Sequence, residues 1–415
     1  MNLTKCLDKH YMDFLAYLHG MEVSGLKLYD LLGAVRRGEL KIADCYVFIA
    51  RLYDILEGSL GDPKAALFKL SEFIQGSKLV GLLRGYGSAL FTSGDTGSFV
   101  TAALKSEFSF FRTKISEELR LIEVLYEAML AAILCVSMFS ILPIWPLPPA
   151  IGVLVLQSIG LMGFTVANRV ARKLLYSRET LIVLLEASYI VLSIVPAMFT
   201  YYGLAAYLLF IVFAHFLIHR RLKNEVFIER ESLRVLRDVH SYVMLGEMPD
   251  VALLSALGGA QGFEFRVMQH GLLNGLFGRE IVSKLRLPGL ANDIMHKLTS
   301  LMHYSAFNGA YVASIMQYAD EISEVRKLAE VKAKNYLLYS IVISFLVIAS
   351  YIMISKIPAL LNINPKVLGL YGFTSIISAI APTCILKDRS FMGSRTAVVA
   401  TTTATAIPLL FNIMP

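Results

Sequence analysis

The chain has 415 residues, 56% hydrophobic and only 17% charged, with a mean hydropathy of +0.61. Soluble globular domains carry about 25% charged residues, so the composition argues against an ordinary soluble protein and for a membrane. The net charge of +7 comes without any Lys/Arg run interleaved with aromatics. That excludes a nucleic-acid patch and leaves a membrane-orientation signal.

Residues 1–123 read as a compact bundle of short helices. Phe14, Leu15, Leu18 and Met21, then Tyr46, Ile49, Leu52, Tyr53 and Leu56, recur at helical spacing. Turns are expected at Gly20 to Gly25, Gly33 to Gly38, Gly58 to Pro63 and Gly85 to Gly87. No stretch alternates with period two for long enough to argue a strand. The N-terminus lacks an apolar h-region, so no cleaved signal peptide is expected. Four cysteines, Cys6, Cys45, Cys135 and Cys384, lie far apart with no C-x-x-C, which points to neither a zinc site nor a disulfide framework. Cys135 and Cys384 fall in apolar spans and are expected as buried thiols.

At Ser93-Gly94-Asp95-Thr96-Gly97 two glycines bracket an Asp and a Thr just before an apolar-periodic segment. Glycine takes turn backbones cheaply, and Asp, Thr and Ser cap helix N-termini. The pattern predicts a tight turn launching a helix. Leu104, Phe108, Phe111, Ile115, Leu119 and Ile122 then form one apolar stripe. This helix is expected to run without a break into the first long hydrophobic run.

Seven hydrophobic spans follow, near 124–142, 150–167, 181–199, 201–218, 336–355, 367–386 and 395–413. Each approaches the roughly 20 helical residues that cross a hydrocarbon core. A short basic loop, 168–180, carries Arg169, Arg172, Lys173 and Arg178, and Lys387, Arg389 and Arg395 lie in the sixth link. The excess of positive charge on one side places the polar regions 1–123 and 219–335 in the cytoplasm of a multi-pass cell-membrane protein, with the C-terminus outside. The expected domains are therefore 1–123, a four-span block 124–218, 219–335, and a three-span block 336–415.

The two polar regions echo each other. Laying Ser305 to Met316 on Ser93 to Leu104 aligns Gly97 with Gly309, Phe99 with Tyr311 and Val100 with Val312, an offset of 309 − 97 = 212. The next hydrophobic runs begin near 124 and 336, also 212 apart. Upstream, Gly25-Leu26-Lys27-Leu28 loosely matches Gly246-Glu247-Met248-Pro249. A shared distance to the membrane makes duplication the better reading than chance.

Here the chain resembles the type II secretion system F-domain family, in particular the archaeal branch that serves type IV pilus-like and archaellum machines. Gly58-Ser59-Leu60-Gly61-Asp62-Pro63-Lys64-Ala65-Ala66-Leu67 is similar to that branch's Gly-Asp-Pro-x-x-Ala-Leu segment, and Ser93-Gly94-Asp95-Thr96-Gly97 to its Gly-rich turn. The second copy departs from it, with Ala306-Phe307-Asn308 in place of Gly94-Asp95-Thr96. The resemblance implies an all-α polytopic fold with two homologous cytoplasmic helical domains. It also implies a non-enzymatic platform that couples a separate secretion-type hexameric ATPase to insertion of pilin- or archaellin-like subunits, as a homodimer in the lipid bilayer. Candidate hinge or ATPase-contact residues are then Asp62, Pro63, Gly94, Asp95, Gly97, Asn308 and Gly309. The exposed polar faces of the lever helices 100–123, 219–240 and 314–335 add Arg112, Lys114, Glu117, Arg326 and Lys327.

No catalytic site is expected. No Gly-Lys dipeptide exists to build a Walker A loop, and neither H-E-x-x-H nor G-x-S-x-G occurs. The pairs His10/His19 and His296/His303 lack the carboxylate or Cys spacing of a metal centre, so no metal or cofactor is expected. Glu127, Glu186 and His215 lie near span ends. Interfacial snorkelling or a local pair, such as Glu186 with Arg178 or His215, is preferred to a proton relay. The rival readings are a polytopic transporter or channel with cytoplasmic regulatory domains, and a membrane-embedded enzyme.

Overall fold

The computed structural model describes residues 3–40, 42–141, 149–176, 179–192, 201–276, 278–285, 287–300, 309–355 and 365–403. Among these the chain is all-helical, with no strand. Six short helices come first: α1 (Leu3–Lys9), α2 (Tyr11–Val23), α3 (Leu28–Arg36), α4 (Asp44–Leu60), α5 (Pro63–Phe73) and α6 (Lys78–Thr92). Next are α7 (Thr96–Ile141), α8 (Pro149–Lys173), α9 (Thr180–Leu192) and α10 (Tyr201–Met244). Short helices return as α11 (Pro249–Gly259), α12 (Phe263–Leu273), α13 (Gly278–Leu285) and α14 (Gly289–Ser300). The long α15 (Gly309–Ser355) and α16 (Pro365–Asp388) follow, and residues 395–403 are again helical.

Two compact units result. Unit 1 comprises Met1–Thr113 and Phe227–Ser323; unit 2 comprises Lys114–Val226 and Glu324–Pro415. The division falls inside α7, α10 and α15, which are 46, 44 and 47 residues long. In a protein most of a helix's stability comes from the packing of its apolar face. In α7 it comes from the predicted stripe: Leu104, Phe108, Ile115, Leu119 and Ile122 are all buried.

Unit 1 starts from local signals. Asp62 caps α5 by accepting the N–H groups of Lys64 (3.0 Å) and Ala65 (3.4 Å), and Pro63 sits at the first helical position. Asp8 at the end of α1 accepts from the Ser77 hydroxyl (2.8 Å) and the Lys78 N–H (2.9 Å), fixing the start of α6. Phe14 of α2 stacks on Tyr46 of α4 at 4.6 Å, and the Tyr46 hydroxyl donates to Leu7 O at 3.0 Å.

The turn expected at Gly85 to Gly87 is absent. Helix α6 runs straight through both glycines. A Cβ at Gly85 would overlap the Phe99 ring, and one at Gly87 would press on Phe68. These glycines admit aromatic rings to the helix surface rather than ending it.

The element order of unit 1 repeats. Helix α2 ends at Val23, where Gly25 (φ 86°) lets Leu26 N–H reach Met21 O (2.9 Å) and Gly25 N–H reach Glu22 O (3.0 Å). At the end of α10, Gly246 (φ 89°) lets Glu247 N–H reach Tyr242 O (3.1 Å) and Gly246 N–H reach Val243 O (3.0 Å). Both are Schellman caps, built on the same pair of bonds. Four short helices and one long helix follow each cap, α3 to α7 and α11 to α15.

The cysteine expectation is corrected on two counts. Cys6 and Cys45 form a disulfide with Cα atoms 6.2 Å apart, tying α1 to α4. Spacing alone could not show it, because the fold brings together residues 39 apart. Cys384 is buried as expected, but Cys135 is exposed on α7.

In unit 2, α8 packs along α16 through small residues. A Cβ at Gly160 would overlap Ser378, and one at Gly163 would meet the Pro382 ring. Among the described residues one helix, Leu154–Lys173 within α8, is long and apolar enough to cross a membrane; Ile182–Val191 is apolar but shorter. A buried core helix passes the same test. The other expected spans fall partly on residues whose backbone or side chains lie outside the described set.

Candidate functional site

The predicted turn at 93–97 exists, and its geometry identifies what holds it. Gly94 takes φ 71°, a left-handed conformation for which glycine carries no Cβ penalty. Asp95 is the cap: its Oδ1 accepts the Ser98 N–H at 3.0 Å, and Ser93 Oγ accepts the Asp95 N–H at 3.2 Å. The hydrogen bonds from Ser98 hold the exposed Asp95 carboxyl below the usual carboxylate range. Gly97 meets nothing closer than the Asp95 carboxylate, so it is not a tight packing position.

Thr96 is the residue that fastens the turn. It is fully buried. Its hydroxyl donates to Glu22 Oε2 at 2.7 Å and accepts from Lys27 Nζ at 2.7 Å. Lys27 Nζ also reaches Glu22 Oε2 at 3.1 Å, and the Tyr86 hydroxyl donates to Glu22 Oε1 while accepting the Leu28 N–H at 3.0 Å. A buried carboxylate is thus surrounded by an ammonium and two hydroxyls, as its desolvation requires. Burial, reinforced by Glu22, pushes the Tyr86 phenol up, so it stays a donor. The turn is thereby bolted to α2, α3 and α6 at the first residue of α7. The apolar periodicity gave no sign of Glu22, Lys27 or Tyr86, because the partners meet only in the fold.

The stretch aligned with it in the second half is 305–309, of which 305–308, Asn308 included, fall outside the described residues. Gly309 begins α15, and a Cβ there would collide with the Met244 sulfur at the end of α10. Fourteen residues separate Phe99 from Gly85, which its ring covers, and Tyr311 from Lys297, whose carbonyl accepts the Tyr311 hydroxyl at 2.8 Å. The Tyr311 ring also occupies the space a Cβ would need at Gly20 of α2.

A second buried cluster joins the two parts of unit 1. Lys297 of α14 places Nζ 3.0 Å from Asp13 of α2 and 2.5 Å from Asp293, with the Tyr318 ring 4.4 Å away. Burial alone would lower the Lys297 pKa, but Asp13 and Asp293 outweigh it and hold the ammonium well above its ordinary range. Burial likewise pushes Asp13 up. The Lys297 charge and the hydrogen bonds from His10 and Lys297 override it and hold the carboxyl well below its ordinary range.

The long helices α7 and α15 run side by side in parallel. In unit 1, Phe108 lies 6.0 Å from Tyr318, and Arg112 pairs with Glu321 at 3.7 Å. In unit 2, Glu123 pairs with Lys332 at 2.7 Å, Tyr336 donates to Leu119 O at 2.5 Å, and Tyr126 stacks on Tyr336 at 5.4 Å. The partners are separated by roughly the repeat offset, so equivalent levels of the two helices face each other.

Of the expected polar contacts, Arg112, Lys114, Glu117 and Lys327 are exposed. Arg326 is not: only 7% of its surface is accessible. Its Nε donates to Leu174 O (2.8 Å) and its Nη2 to Leu175 O (3.0 Å), with the guanidinium over the Tyr176 ring. It caps the C-terminus of α8, where unpaired carbonyls and the dipole attract a cation. Glu186 has one of its expected partners, Arg178, outside the described residues. Its carboxylate accepts from the Ser390 hydroxyl, the Phe391 N–H (2.7 Å) and the Met392 N–H (3.3 Å). His215 turns instead to Met392 O (3.0 Å).

Comparison with known protein families, curated proteins and solved structures finds no match. The functional reading therefore rests on the geometry above and on the sequence pattern.

Proposed function

We propose that this chain is a multi-pass membrane platform of a type IV pilus-like filament or secretion machine. It couples a separate hexameric ATPase to insertion of pilin-like subunits. The observation that supports it most is the course of α7, α10 and α15. Each is one uninterrupted helix of 44–47 residues shared between a polar unit and an apolar one. A helix without a joint transmits a push or a rotation, because packed elements move as rigid bodies. The buried bolts on Glu22 and Lys297 secure the starts of two of these helices to short ones that an external motor can grip. In this reading the polar regions are two homologous cytoplasmic domains, the protein sits in the cell membrane with its C-terminus outside, and it works as a homodimer. It has no catalytic step of its own.

The test is co-purification of the full chain with a filament-assembly ATPase from the same genome. Association is expected, and it should weaken when Asp62, Arg112, Lys114 and Lys327 are neutralised together. Ion-dependent flux through liposomes holding this chain alone, with no ATPase association, would establish the transporter reading instead.

A further inference from the structure

Charge is divided unevenly between the units. Unit 2 holds 18 Lys/Arg and 10 Asp/Glu, a net +8, whereas unit 1 holds 21 and 22, a net −1. The chain's whole positive excess belongs to its apolar half. We propose that unit 2 carries a belt that binds anionic phospholipid headgroups, a proposal that rests on the membrane reading above.

The cations are not scattered. The polar contacts of unit 2 include a single layer: Lys173 of α8 meets Glu118 of α7, Lys332 of α15 meets Glu123 of α7, and Arg326 of α15 reaches the end of α8. Arg221 of α10 meets Glu179 at the start of α9, and His219, two residues earlier, bonds Gly393 O at 3.1 Å. These pairs hold five helices and the 389–394 loop at one level. Beside them stand Arg120, Arg169, Arg172, Arg220, Lys223 and Arg395, all exposed and with no ion-pair partner among the described residues.

An apolar stretch begins immediately on one side of this layer. No charged residue occurs over 150–168, 201–219, 335–355 or 367–386. Cations at the edge of an uncharged helical run lie at headgroup depth if the run is in hydrocarbon. Five of the six are arginines, whose fork matches a phosphodiester bidentately. Glu118, Glu123 and Glu179 are already used by Lys173, Lys332 and Arg221, so these three order the belt without cancelling it.

The full chain in mixed micelles, titrated with fluorescent phosphatidylglycerol or with phosphatidylcholine of the same acyl chains, decides this. Tighter binding of phosphatidylglycerol is expected, falling about five-fold for each charge removed in the R169Q/R172Q/R220Q/K223Q variant. The R51Q/K105Q variant, which alters two exposed cations of unit 1, should keep the preference. Should the glutamine variant fail to fold, rising salt must abolish the preference in the wild type, and R169K/R172K/R220K must retain it. Equal affinity for the two lipids, or an unchanged preference in a folded glutamine variant, overturns the belt. Competition by soluble glycerol phosphate as effective as by the lipid would instead make it a free-phosphate site. Flotation on neutral vesicles separates the two readings. A chain that floats without lipid preference loses only the belt, and one that never floats loses the membrane.

Discussion

Thr96 shows how much one hydroxyl can decide. Its neighbours in sequence advertise a turn, yet the residue that fixes the turn does so through Glu22 and Lys27. Replacing it by Val keeps the shape and leaves a buried carboxylate short of a donor. A loss of about 1–3 kcal/mol is expected in denaturant unfolding, whereas Gly97→Ala should cost little because a Cβ there is unopposed. Lys297 is the larger liability. Lys297→Met strands Asp13 and Asp293 and is expected to cost about 3–5 kcal/mol, part of which Asp13→Leu in the same chain should restore. The same pair sets a pH window. Asp13 is depressed in the fold, so its contribution is present above the ordinary carboxylate range, about pH 4, and is lost on acidification. Lys297 is raised, so its contribution is complete below about pH 10 and is lost only at higher pH. Thermal stability of the wild type should fall on both sides of that window, and K297M should flatten both flanks.

At the scale of elements, helices with strong local signals were legible. The Asp62-Pro63 start of α5, the turn that launches α7 and the apolar stripe of α7 all follow from residue order. Glycine was the ambiguous letter. Gly25, Gly61, Gly94 and Gly246 lie at turns with positive φ, whereas Gly20, Gly85 and Gly87 lie inside helices under aromatic rings. A lone glycine reads alike in both settings, since what separates them is a ring arriving from elsewhere in the chain. Gly20→Val should therefore force Tyr311 off α2, at a cost of about 1–3 kcal/mol by overpacking. The double variant Gly20→Val, Tyr311→Ala, measured in the same unfolding assay, should recover part of it. No recovery would mean that the helix rather than the ring resists the new side chain.

For the whole molecule, the thiols offer a direct test of the membrane reading. Cys6 and Cys45 are bonded and Cys384 is buried, which leaves Cys135 as the exposed free thiol. If 124–142 crosses the bilayer, a charged methanethiosulfonate should not label Cys135 in sealed native membranes but should label it after denaturation. Rapid labelling in native membranes would remove α7 from the hydrocarbon. Reduction of the Cys6–Cys45 bridge should lower the stability of unit 1 by about 2–4 kcal/mol, as in other disulfide-closed loops. By itself the sequence determined the helical class, the periodic faces, the recurrence of one turn at a fixed distance from an apolar run, and the surplus of positive charge. These are properties of neighbours along the chain, written in spacing and composition. Only the tertiary structure decided which polar groups are partners: Thr96 with Glu22, Lys297 with Asp13, Arg326 with the end of α8, and Cys6 with Cys45. A buried charge or thiol finds its partner by proximity in space, and no local pattern encodes a contact between residues that the chain separates.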